Sequence, residues 1–131
     1  MLIGGNVLAE KSTACTKDKE TQAERAIDEL TSWQKVYDAY TKFVQCDDGA
    51  IAEGYTDKIS DLLAYNWKAI GELLKFIRIN PQFERFILEH VDTLTTQDQA
   101  KAIIANSREH CDATAAEFCN RLAQKVQHPD N

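Results

Sequence analysis

Apolar side chains recur every three or four positions along most of this chain, which is the spacing of amphipathic helices. The first stretch runs from Asp18 to Val44. Thr31 and Gln34 form a capping-box pattern within it, so it is either one bent helix or two helices. Its apolar positions are Ile27, Leu30, Trp33, Val36, Tyr37, Tyr40, Phe43 and Val44. No run alternates in the manner of a strand.

The most apolar stretch continues this period from Ile51 to Ile77 and predicts a central helix of about eight turns. Asn80-Pro81 ends it, because proline disfavours helical geometry in the residue before it and suits the first position of the next helix. A short third helix then extends to Leu94. The apolar positions of the central helix are Ile51, Tyr55, Ile59, Leu62, Leu63, Trp67, Ile70, Leu73, Leu74 and Ile77.

Capping signals mark the starts of two more helices. Residues 95–99, Thr-Thr-Gln-Asp-Gln, precede a fourth helix, and either Asp112 or Thr114 starts a fifth. The segments between helices are short, so consecutive helices should pack roughly antiparallel. The sequence therefore predicts an all-α fold, a single-domain bundle of about five helices spanning residues 11–131.

The balance of charge restricts the classes of partner. The chain has 131 residues and a net charge of −6, with 15 basic residues scattered among 21 acidic ones. Nucleic-acid binding needs clustered Lys and Arg, so we do not expect a nucleic-acid partner. No window approaches the roughly 20 apolar residues of a membrane span. A protein partner with a basic surface is better matched, with this chain a monomer or homodimer.

Four cysteines indicate an oxidising compartment. Cys15, Cys46, Cys111 and Cys119 form no C-x-x-C pair and have no histidine at zinc-finger spacing, so two disulfides are favoured over a zinc site. Three pairings are open, as is a set of four buried thiols. We favour Cys15 with Cys46 and Cys111 with Cys119, because each bond would then join neighbouring helical segments.

The first ten residues contain part of an export signal. Val7-Leu8-Ala9 has the small-residue spacing of a signal-peptidase site, although a basic n-region is missing. We interpret residues 1–10 as the remnant of a signal peptide, with an ordinary N-terminus as the alternative. Together with the cysteines, this predicts a periplasmic or secreted protein.

The segment from Cys46 to Tyr55, CDDGAIAEGY, combines a helix corner with several acids. Asp47 or Asp48 would cap the central helix, and Gly49 would give the backbone freedom at the corner. Gly54 lies inside a helix, where glycine costs about 1 kcal/mol relative to alanine, so its place there indicates close approach of another helix or of a ligand.

Acidic residues continue along the helix that follows this corner. Glu53, Asp57 and Asp61 are spaced four residues apart and share one face. Either they form a solvated helix face, or they bind a basic partner through charge complementarity. On the second interpretation the partner-binding residues are Asp47, Asp48, Glu53, Tyr55, Asp57 and Asp61.

The sequence gives little indication of metal binding, cofactor binding or catalysis. The ligand spacing of a calcium-binding loop is not matched, no catalytic or nucleotide-binding motif occurs, and we expect no metal, no cofactor and no enzymatic activity. An enzyme would have to use Asp47, Asp48 or Glu53.

His90 falls on an apolar helix face and is expected to be a buried, hydrogen-bonded histidine. An alternative function is binding of a small molecule or envelope component in a pocket lined by Tyr55 and Trp67.

The CDDGAIAEGY block resembles a group of small, exported, all-helical proteins of Gram-negative bacteria. The likeness spans residues 30–122 and includes Ile59, Leu62, Leu63, Trp67, the segment Pro81-x-Phe83-x-x-Phe86-Ile87-x-x-His90-Val-Asp92, and the pair Cys111 and Cys119. It implies fold and compartment, and no functional residues. A looser analogy is to periplasmic immunity proteins that neutralise toxic cell-wall enzymes. The function that we expect is therefore a non-enzymatic protein-binding module, of the inhibitor or immunity class.

Overall fold

The computed structural model describes residues 14–130, so the predicted signal-peptide remnant at residues 1–10 lies outside the described part of the chain. The described residues form seven α-helices and no strand, which confirms the all-α class and corrects the helix count of about five. The helices are α1 Lys17–Ile27, α2 Trp33–Phe43, α3 Gly49–Tyr65, α4 Ile70–Ile79, α5 Pro81–Glu89, α6 Gln97–Glu109 and α7 Ala116–Gln127. Short 3₁₀ turns occupy Val44–Cys46, Trp67–Ala69 and Ala113–Ala115.

The two longest predicted helical stretches are each divided. The stretch from Asp18 to Val44 is two helices, and α2 is capped by Ser32, whose Oγ accepts a hydrogen bond from Lys35 N, and not by Thr31. The prediction of one central helix was wrong, because α3 ends at Tyr65 with Asn66 as its C-cap. Asn106 of α6 holds that end, since its Nδ2 donates to the carbonyls of Leu63 and Ala64.

Three other helix starts agree with the sequence signals. Asn80 caps α5 by accepting from Gln82 N, with Pro81 in the first helical position. Thr96 forms a capping box with Gln99 at the start of α6, and Asp112 caps the 3₁₀ turn that leads into α7. The helix α5 is shorter than predicted, because it ends at Glu89 and not near Leu94.

One buried apolar cluster contains residues from all seven helices. Within it α3 packs against α1 and α6, α6 packs against α7, and α2 and α5 both contact α4. Aromatic rings join α2, α4 and α5. The centroid of the Tyr37 ring lies 4.5 Å from the centroid of the Phe76 ring and 4.9 Å from that of the Phe83 ring. The core thus surrounds α3, which is the helix that carries the acidic segment.

Both predicted disulfides are present. Cys15–Cys46 joins the segment before α1 to the turn before α3, and Cys111–Cys119 joins the loop after α6 to α7. In residues 14–130, no helix has the length and apolar character needed to cross a membrane.

Candidate functional site

Three local features fix the turn between α2 and α3. Cys46 is buried and disulfide-bonded, and Asp48 caps α3 as its Oδ1 accepts from Gly49 N at 2.9 Å. Gly49 has φ +53°, in the left-handed region that glycine enters without steric cost. The predicted corner is therefore confirmed, with Asp48 as the capping residue.

Asp47 points inward from this turn, although it was predicted as a surface contact. Its Oδ2 lies 2.9 Å from His90 Nε2, and 19% of its side chain is exposed. His90 follows α5 and is 5% exposed. The prediction of a buried, hydrogen-bonded histidine at position 90 is confirmed.

The other ring nitrogen of His90 extends the contact into the core. His90 Nδ1 lies 2.9 Å from Thr56 Oγ1, and Thr56 Oγ1 donates to Asp92 Oδ2 at 3.0 Å. The second oxygen of Asp92 accepts from Leu94 N. We call Asp47, His90, Thr56 and Asp92 the His90 network. It brings together the CDDGAIAEGY block and the Pro81 to Asp92 segment, the two main parts of the resemblance.

A second set of hydrogen bonds holds the loop after α5 on α3. Thr95 Oγ1 accepts from Asp92 N and lies 2.9 Å from the buried Ser60 Oγ. Together with the His90 network, these contacts attach both the turn before α3 and the loop after α5 to one face of α3.

Tyr55 lies against this network and is 1% exposed, which rules out its predicted role as a surface contact with a partner. Its ring centroid is 5.6 Å from that of His90 and 5.4 Å from that of Phe86. Its hydroxyl has no hydrogen-bond partner within residues 14–130. Burial and the nearby Asp47 carboxylate raise the pKa of Tyr55 to about 12. The spacing of Ile51, Tyr55 and Ile59 was the signal for its burial.

Asp57 and Asp61 are exposed, but a buried amide of α6 binds them both. Gln99 Nε2 donates to Asp61 Oδ1 at 2.8 Å and to Asp57 Oδ1 at 3.5 Å, and Gln99 is 4% exposed. This amide offsets part of the repulsion between the two carboxylates. They are therefore partly engaged within the protein, whereas Asp48 and Glu53 remain exposed.

An acidic cleft of about 340 Å³ lies between α1 and the start of α3. Its carboxylates come from Glu20, Glu24 and Asp48, and none of its lining residues within positions 14–130 is basic. Glu20 and Glu24 were not predicted from the sequence as site residues. The predicted bond between Cys15 and Cys46 was the available signal, because it brings the start of α1 to the turn before α3.

Neither a metal-ligand cluster nor the predicted pocket beside Tyr55 and Trp67 is found among the described residues. Among the described residues, no group of three or more His, Cys, Asp or Glu side chains could hold a metal ion. Thr56 is 1% exposed, so its hydroxyl cannot reach a substrate. Trp67 donates from Nε1 to the His110 carbonyl, and neither Trp67 nor Tyr55 lines the four surface clefts described for residues 14–130.

Fold and site together define a small, disulfide-bonded all-helical protein with a partly buried histidine–carboxylate network whose Asp47 lies between two residues of an acidic cleft. No protein-family model, curated protein or solved structure matches this chain. The resemblance to exported helical proteins stays a prediction.

Proposed function

We propose that this chain is a non-catalytic binding protein whose partner is a protein with a basic surface. The observation that carries the proposal is the acidic cleft, in which Glu20 and Glu24 of α1 and the α3 cap Asp48 surround an opening that has no basic residue among its described lining residues. Glu53 extends the negative surface along α3. Such a surface accelerates encounter with a basic partner and orients it.

The frame of the cleft supports binding without a large rearrangement. Cys15 and Cys46 form part of its lining, and the capping Asp48 and Gly49 lie beside them. Interfaces of inhibitors and other pre-organised binding proteins move little between the free and bound states. A rigid acidic cleft therefore suits an inhibitor.

The same disulfides support the proposed compartment. Such bonds persist mainly in secreted and periplasmic proteins, since the cytosol keeps thiols reduced. We therefore place the protein in the periplasm or outside the cell. In that compartment the partner would be a toxic enzyme acting on the cell envelope, and the chain its inhibitor or immunity protein.

A charge-reversal pull-down tests the proposal. Wild-type protein, the pair Glu20→Lys with Glu24→Lys, and a control pair Glu89→Lys with Glu109→Lys are used to capture proteins from envelope extract at low and high salt. The control makes the same change in net charge, at exposed helix ends where lysine is favoured.

We expect wild type and control to retain the same basic protein at low salt, and the cleft variant to lose it. High salt should weaken every such complex. Equal capture by the cleft variant would overturn the cleft as the binding surface. An enzyme identified in this way can be assayed directly, and undiminished activity in the complex would rule out inhibition.

A further inference from the structure

The His90 network contains enough contacts to locate its protons. A threonine hydroxyl has one proton, and here it lies on the bond from Thr56 Oγ1 to the Asp92 carboxylate. Thr56 Oγ1 must therefore accept at its second contact, 2.9 Å from His90 Nδ1. This assigns one proton to Nδ1 of the ring.

The other ring nitrogen faces a carboxylate. An ionised Asp47 can only accept, so the 2.9 Å contact between Asp47 Oδ2 and His90 Nε2 needs a proton on Nε2. With a neutral ring and both carboxylates ionised, the ring and the Thr56 hydroxyl supply two protons for three contacts, so one of the contacts Asp47–His90, His90–Thr56 or Thr56–Asp92 would place lone pairs against each other. Only the imidazolium form supplies a proton to each contact.

Charged and aromatic groups from several elements pack around the His90 ring or beside it. Asp47 faces it from the turn before α3, and Asp92 from the loop after α5 through Thr56. Tyr55 of α3 and Phe86 of α5 supply ring contacts, with centroids 5.6 Å and 4.8 Å from that of His90. From α7, the Lys125 ammonium donates to the carbonyls of Leu88 and Val91. Burial opposes a charged ring, and the two carboxylates favour it.

We propose that His90 is a buried imidazolium that positions the acidic cleft by holding Asp47, and that loss of one ring proton loosens the cleft. Asp47 lies between Cys46 and Asp48, which line the cleft, so its anchoring fixes their backbone. After deprotonation at Nδ1, the ring keeps Nε2–H on Asp47, but that bond loses its charge assistance. The single Thr56 proton can then serve either His90 Nδ1 or Asp92, so one of these two contacts is also lost. The consequence for binding rests on the proposed function, whereas the charge of His90 does not.

Ring ¹⁵N NMR of the whole protein near pH 7 tests the charge without any partner. We expect both nitrogens of His90 to carry protons and to give the nearly equal shifts of an imidazolium. The exposed His110 and His128 serve as references in the same spectrum. A neutral His90 ring, with one protonated and one bare nitrogen, would overturn the proposal whether or not the protein binds a basic partner.

Hydrogen exchange tests the positioning role. In wild type, protection of the amides in residues 49–52, corrected for intrinsic exchange, should fall about tenfold when His90 loses its proton on raising the pH. His90→Gln keeps an uncharged donor and cannot titrate, so this fall should disappear. Persistence of the same fall in His90→Gln would contradict the role.

Thr56→Val is a second variant that keeps the ring and the side-chain shape. It removes the acceptor of Nδ1, so the ring should keep its contact with Asp47 and become neutral at a lower pH than in wild type. An unchanged His90 titration in Thr56→Val would show that Thr56 does not hold the Nδ1 proton, and the proposal would fail.

Discussion

Gly54 of α3 lies directly against Ile27 of α1. A Cβ placed on Gly54 would be 2.8 Å from Ile27 Cγ2 and 2.9 Å from Cδ1, closer than real Cβ contacts occur. The close approach of another helix that the sequence predicted at this glycine is thereby confirmed. The contact sets the distance between α1 and α3 just beyond the acidic cleft.

Gly54→Ala should therefore destabilise the protein, although alanine is the better helix former. Overpacking costs about 1–3 kcal/mol, against a gain of about 1 kcal/mol in helix propensity. Thermal or urea unfolding measures the difference. In an Ile27→Ala background the same substitution should be neutral or stabilising, and a loss of equal size there would contradict the steric explanation.

Gly71→Ala in α4 is the matched control for that measurement. No atom lies within 4 Å of a Cβ at Gly71, so the substitution should stabilise the protein, by up to about 1 kcal/mol.

Gly49→Ala should destabilise the turn for a different reason. The space around Gly49 is open, but its φ of +53° costs an L-residue about 1–2 kcal/mol. Asparagine tolerates this region better, so Gly49→Asn should lose less stability than Gly49→Ala in urea unfolding. Equal losses in the two variants would show that backbone strain is not the cause.

The two disulfides should contribute unequally to stability. The Cys15–Cys46 bond spans 31 residues and the Cys111–Cys119 bond spans 8. In the chain-entropy model they contribute about 3.7 and about 2.5 kcal/mol. Paired replacement by alanine, followed by urea unfolding, should therefore cost about 1 kcal/mol more for the first bond. The opposite order would show that native-state contacts outweigh loop closure.

Tyr55 should make the protein less stable at high pH. Its pKa is raised to about 12 in the folded protein, so the folded state holds a proton that the unfolded chain releases near pH 10. The retained Tyr55 proton contributes fully to the free energy of unfolding below pH 10. Above pH 10 this contribution falls by roughly 1.4 kcal/mol per pH unit, and it is lost by about pH 12.

Tyr55→Phe isolates this effect from that of Tyr40, whose pKa is also raised, mainly by burial. The variant should lose less stability than wild type between about pH 10 and 12. At neutral pH it should be as stable as wild type or slightly more stable, because the removed hydroxyl has no partner among the described residues. A parallel decline in the two proteins would contradict a buried, titrating Tyr55.

The sequence predicted those features that depend on neighbouring residues. Asn80 and Pro81 signal a helix boundary through backbone chemistry alone, and the Thr96–Gln99 capping box does the same. The interruption at Asn66 was missed, because Trp67 and Ile70 continue the apolar period across it. That period reports which face is buried and does not report whether the backbone remains helical.

The His90 network could not be predicted, because its members are distant in sequence. Asp47 and His90 are 43 residues apart, and Thr56 and Asp92 are 36 apart. Periodicity placed His90 on a buried face, but only the tertiary contacts of Phe86 and His90 with α3 select its partners. For the same reason the sequence assigned Asp47 to the surface with its exposed neighbour Asp48.

The break at Asn66 also sets the overall dimensions of the protein. A continuous helix from Gly49 to Ile79 would be about 46 Å long. A compact chain of this length has a radius of gyration of only about 14 Å, so the ends of such a rod would protrude into solvent with their apolar side chains uncovered. The interruption at Asn66 and the 3₁₀ turn Trp67–Ala69 divide this rod into α3 and α4, about 26 Å and about 15 Å long, and each of these lengths fits within a compact chain of this size.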